Sequence, residues 1–118
     1  MNKLSNQEAF NIMVRHLRRQ GCKSMNENNT SCAYRGQNGN MCAVGAIIPN
    51  NLYKPKMENK TIYGLLNDSV NGELKKFFGE LDICLLNAMQ RTHDQVPPYR
   101  WNEYFKSIAS VYNLSIPD

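Results

Sequence analysis

The chain has 118 residues, 42% of them hydrophobic and 20% charged, with a net charge of +4. That size predicts one globular domain over residues 1–118 with a modest core and leaves no room for a second. No apolar run approaches a membrane span and no signal-peptide pattern opens the chain, so the sequence predicts a cytoplasmic protein whose four cysteines stay reduced, not attached to a membrane.

Ser5 and Glu8 fit a capping box, Phe10, Met13, Val14 and Leu17 fall at helical spacing, and Gly21 is a natural stop, which together predict a helix over 5–20. Residues 22–31, rich in Asn, Ser and Lys, read as a surface loop. Residues 32–35 then read as a short strand and 36–39 as a tight turn, because Asn38-Gly39 is the strongest short hairpin signal. A small β-hairpin is therefore expected over residues 32–42. Residues 42–48 are small and apolar, hence buried, and are compatible with either strand or short helix up to Pro49. Short helical pieces are expected at 61–66 and 73–78, between turns. Strong helical patterning returns over 81–93, Pro97-Pro98 breaks it, and 99–114 carries Trp101, Tyr104, Phe105, Ile108 and Tyr112 at helical offsets. The expected fold class is α+β: compact and mostly helical, with one hairpin.

Cys42 emerges from a Gly-rich turn into an apolar run, a setting in which unpaired backbone N–H groups lower a thiol pKa. With His93 as base and Asp94 as its orienting carboxylate, this residue set would make a thiol-dependent hydrolase or transferase. Two objections stand against that. Cysteine in an apolar run is usually a core filler, and neighbouring helical residues point about 100° apart, so Asp94 is poorly aimed at His93. A buried His93 bonded to a backbone carbonyl or to Tyr34 or Tyr53 is the simpler expectation. Zinc bound by Cys32, Cys42 and His93 lacks the close ligand pair of structural sites, so neither a metal nor another cofactor is expected.

A binding surface needs less special geometry. Tyr34, Arg35, Gly36, Asn38 and Gly39 bring an aromatic face, a guanidinium, an amide and backbone N–H groups to one turn, which suits phosphate or carboxylate, and Tyr53 and Lys54 extend it. Arg35, alternating with an inward Tyr34, is expected to face solvent. The positive charge favours an anionic partner, and no helix-turn-helix, zinc-finger or RNP signature supports nucleic acid.

The pattern Cys32-x-Tyr34-Arg35-Gly36-x-x-Gly39-x-x-Cys42-Ala43-x-Gly45-x-x-Ile48-Pro49-x-x-x-Tyr53, followed by Met57-Glu58, Gln90-x-x-His93-Asp94 and Trp101, resembles a group of small bacteriophage and prophage accessory proteins. The resemblance implies a phage-type protein of the host cytoplasm that engages a host component, as in host interaction or anti-defence. The partner expected from the resemblance and the charge together is an acidic protein surface or an anionic, nucleotide-like small molecule.

Overall fold

The structure, a computed structural model, describes residues 4–118; the first residues of the domain, and with them the start of the chain, lie outside the described residues. The described residues form five α-helices in order: α1 (Asn6–Gln20), α2 (Ile62–Asn67), α3 (Gly72–Phe78), α4 (Ile83–Gln95) and α5 (Trp101–Tyr112). Ser5 and Glu8 form the reciprocal capping box of α1, and Gly21 ends it at φ 72°. Thr61 and Asp82 cap α2 and α4 through their side-chain oxygens. Each cap satisfies a backbone N–H that the first turn of a helix leaves open. No helix among the described residues is long and apolar enough to cross a membrane.

Phe10, Met13, Val14 and Leu17 of α1 and Leu85, Leu86 and Met89 of α4 meet Trp101, Phe105 and Ile108 of α5 in one buried cluster. The segment 42–48, left open between strand and helix, resolves into a 3₁₀ turn at Val44–Ile47 that packs on α1 and α4. Ala43 and Val44 add their side chains to the core there.

The α+β expectation is overturned: the described residues contain no sheet, and the protein is all-α. Around the expected hairpin only isolated bridges occur, Met25 with Cys32 and Arg35 with Met41. The Asn-Gly turn itself is present, with both central residues at positive φ (Asn38 57°, Gly39 76°) and the Asn40 N–H donating to the Gln37 carbonyl. What fails is the ladder, because side chains and a neighbouring loop take the donors that strands would share. Glu58 accepts the N–H groups of Tyr34 (2.9 Å) and Arg35 (3.1 Å), and Gln20 accepts that of Met41 (2.9 Å). The N–H groups of Ala33 and Gln37 turn to the carbonyls of Ser24 and Met25. The result is a stretch of irregular chain, from Gly21 to Tyr53, folded over the helices.

Candidate functional site

The residues singled out around the turn are mostly scaffold. Tyr34 is buried, as its inward expectation requires, and its hydroxyl donates to the Lys60 carbonyl at 2.6 Å. Arg35 does not project into solvent. Its guanidinium donates to the Ile48 carbonyl (2.6 Å), to Asn50 Oδ1 (2.7 Å) and more distantly to the Gly45 carbonyl, and it lies over the Tyr53 ring at 5.0 Å. Tyr53 donates to Glu58 Oε2 at 2.6 Å, and Lys54 donates to the Val70 carbonyl. Gly36 is a close-approach glycine: a Cβ there would lie 2.5 Å from both the Met25 carbonyl oxygen and Ser24 Oγ. Asn38 and Gly39 are exposed and supply the turn's backbone geometry.

Cys42 is fully buried in the core, with its Sγ accepting from the Gly45 N–H at 3.3 Å. Burial pushes its thiol up to about 12, beyond what the Gly45 N–H and Gln90 pull back. At neutral pH it is a protonated core residue, the opposite of the activated thiolate that placement at a turn suggested.

His93 and Asp94 do meet. The Ser24 backbone N–H donates to His93 Nε2 at 2.9 Å; since that group can only donate, Nε2 carries the lone pair and Nδ1 carries the proton. Nδ1–H then donates to Asp94 Oδ1 at 2.7 Å. The expectation that Asp94 is poorly aimed at His93 is corrected: the two sit in the last turn of α4, and the carboxylate reaches the ring edge. The partners foreseen for His93, a carbonyl or a tyrosine, are replaced by a backbone N–H and this carboxylate. The ring is completely buried and stacks on Trp101, centroids 5.8 Å apart.

The thiol near this pair is Cys32. Its Sγ, a His93 ring nitrogen and an Asp94 oxygen lie within 4.8 Å of one another. Burial and then the Asp94 carboxylate raise the Cys32 thiol to about 11. The order of groups is wrong for nucleophilic catalysis: the carboxylate, not the imidazole, influences the thiol, and the imidazole lone pair is held by Ser24. The same tautomer disfavours a metal, since a neutral imidazole has one lone pair and His93 turns it away from Asp94.

Asp94 and Cys32 line a cleft of about 510 Å³ between α4, the chain at 31–34, the loop at 59–61 and the start of α2. That volume lies within the ordinary range of small-molecule sites. Its walls are mixed, with Ala33 and Ile62 beside the polar side chains. Lys60 is paired with Asp68 at 2.6 Å, whereas Arg91, Asn59, Asn87 and Gln95 make no side-chain hydrogen bond or ion pair among the described residues. Gln90 is anchored: its Oε1 accepts from the Val44 N–H and its Nε2 donates to Asp94 Oδ1, both at 3.0 Å. Most of these lining residues were not singled out from sequence. A signal was present, because Asn87, Gln90, Arg91 and Asp94 recur at helical spacing as a polar stripe on α4.

Fold and site together define a small all-α protein with a cation-bearing cleft beside a buried histidine that is paired with a half-exposed aspartate. No protein-family model matches the chain, and neither a curated protein nor a solved structure matches it.

Proposed function

We propose that this is a phage-type accessory protein that binds an anionic, nucleotide-like small molecule of the host in the α4 cleft, without catalysing its turnover. The observation that carries the reading is the set of unengaged groups on the cleft wall: one guanidinium, Arg91, and three amides, Asn59, Asn87 and Gln95. A guanidinium holds phosphate or carboxylate in a forked geometry, and amides pair with the donor and acceptor edges of a base. The phage context comes from the sequence pattern of residues 31–101, and the net charge of +4 favours anions at long range. An acidic protein surface is the weaker candidate, because Arg35 and Lys54, the cations expected to meet it, are bonded to backbone carbonyls.

The test is calorimetric titration of ribonucleoside 5′-monophosphates into the wild type and into Arg91→Ala. Loss of a charged hydrogen-bonding contact should weaken binding by about 1.5–3 kcal/mol while leaving Tm unchanged, since Arg91 is exposed. Absence of nucleotide binding, or binding indifferent to Arg91, overturns the proposal.

A further inference from the structure

We infer that Asp94 is a fixed acceptor for the hydroxyls of a ribose, so that the ligand of the cleft is a ribonucleotide rather than any small anion. This rests on the nucleotide-binding reading and extends it to the sugar.

One carboxylate oxygen of Asp94 is fixed by two donors. Asp94 Oδ1 accepts from His93 Nδ1–H at 2.7 Å and from Gln90 Nε2–H at 3.0 Å. Neither donor is free to turn. His93 is held at its other nitrogen by the Ser24 N–H and is enclosed against Trp101, and Gln90 is held at its oxygen by the Val44 N–H. Two separate loops thus fix two side chains that fix one oxygen. A scaffold role for Asp94 would be complete at that point.

Beyond those two donors the carboxylate receives only the weak S–H of Cys32, which a hydroxyl donor can displace, and the side chain is 35% exposed and lines the cleft. An acceptor whose side chain is held in place before the ligand arrives loses little on binding a matching donor. The matching donor is a neutral one, because Lys60 and Arg91 share the same cleft and disfavour an ammonium there. Arg91 and Asp94 stand three residues apart on α4, about 5–6 Å between their Cβ atoms. Both line the cleft, so one ribonucleotide can present its 5′-phosphate to the guanidinium and its 2′,3′-diol to the carboxylate. Carboxylate recognition of ribose hydroxyls is a general solution to this problem.

Asp94→Asn gives a sharp test, because the orientation of the new amide is dictated by its surroundings. His93 and Gln90 both donate, so the amide oxygen must take the Oδ1 position, and the NH₂ group replaces the acceptor that faces the cleft. Ribonucleoside 5′-monophosphates and their 2′,3′-dideoxy counterparts are titrated by calorimetry into wild type, Arg91→Ala and Asp94→Asn. The expected result is that wild type binds the ribo form roughly tenfold or more tightly than the dideoxy form, and that Asp94→Asn binds both equally at the weaker affinity. The wild-type comparison stands alone should the variant fail to fold. Equal wild-type affinity for the two forms, or undiminished discrimination by a folded Asp94→Asn, overturns this inference while leaving an Arg91-dependent nucleotide site intact. If no nucleotide binds wild type, the reading beneath it falls as well.

Discussion

Arg35→Ala is expected to destabilise the protein by about 2–4 kcal/mol and to leave the intrinsic affinity of the cleft unchanged. The size follows from what the side chain holds. Hydrogen bonds from a charged donor contribute about 1.5–3 kcal/mol each, and Arg35 makes short ones to the Ile48 carbonyl and to Asn50. The Asn50 bond is exposed and counts for less, and the contact over Tyr53 adds about 0.5–1 kcal/mol. Removal also leaves the Ile48 carbonyl of a buried residue without its donor, which is the costlier side of the exchange. Urea unfolding at constant m-value measures the loss directly, and a Tm lower by roughly 10 °C is the thermal counterpart for a domain of this size. Arg35→Lys should recover only part, because an ammonium cannot reproduce the fork that reaches Ile48 and Asn50 together. A change below about 0.5 kcal/mol, the range of ordinary surface substitutions, would refute the assignment of Arg35 to the scaffold.

Three further outcomes follow from the cysteines and from His93. The raised Cys42 thiol makes the folded state resist ionisation that the unfolded chain undergoes near pH 9; the stability it contributes is present below that pH and is lost as pH rises toward about 12. Unfolding free energies between pH 8 and 11 should therefore fall more steeply for wild type than for Cys42→Ala, by about 1.4 kcal/mol per pH unit at most, and parallel slopes would contradict it. Iodoacetamide at neutral pH should label the exposed Cys22 and Cys84 first, Cys32 more slowly and Cys42 last, read by peptide mass spectrometry; early labelling of Cys42 would revive a nucleophilic role. Zinc and chelator should both leave Tm unchanged, because His93 offers its lone pair to Ser24; a large chelator-induced drop in Tm would contradict the tautomer.

Much of the helical frame was legible because its signals are local. The Ser5–Glu8 box, Gly21, the apolar spacing of α4 and α5 and the break at Pro97-Pro98 each lie within a turn or two of the boundary they set. The Asn38-Gly39 turn was equally local and equally legible. The sheet expected to follow from it depends on where backbone donors go, and they go to Glu58, 24 and 23 residues away, which no local pattern records. The site was legible in part for the same reason. Cys32, His93 and Asp94 were visible as residues with chemistry, but their grouping depends on Ser24 reaching His93 across 69 positions and Val44 reaching Gln90 across 46. Charge misled most: Arg35 looked like a solvent-facing cation, whereas its guanidinium is spent on the Gly45 and Ile48 carbonyls.

The central claim is that the α4 cleft binds a nucleotide, and the most direct measurement is a ¹H–¹⁵N NMR titration of the full chain with ribonucleoside 5′-monophosphates. Saturable shifts should concentrate at Cys32, at residues 59–62 and along α4 at Asn87, Arg91 and Asp94, and should need roughly tenfold or more nucleotide to saturate in Arg91→Ala. Shifts centred instead on the turn at Gln37–Gly39, or none at millimolar nucleotide, would contradict the account.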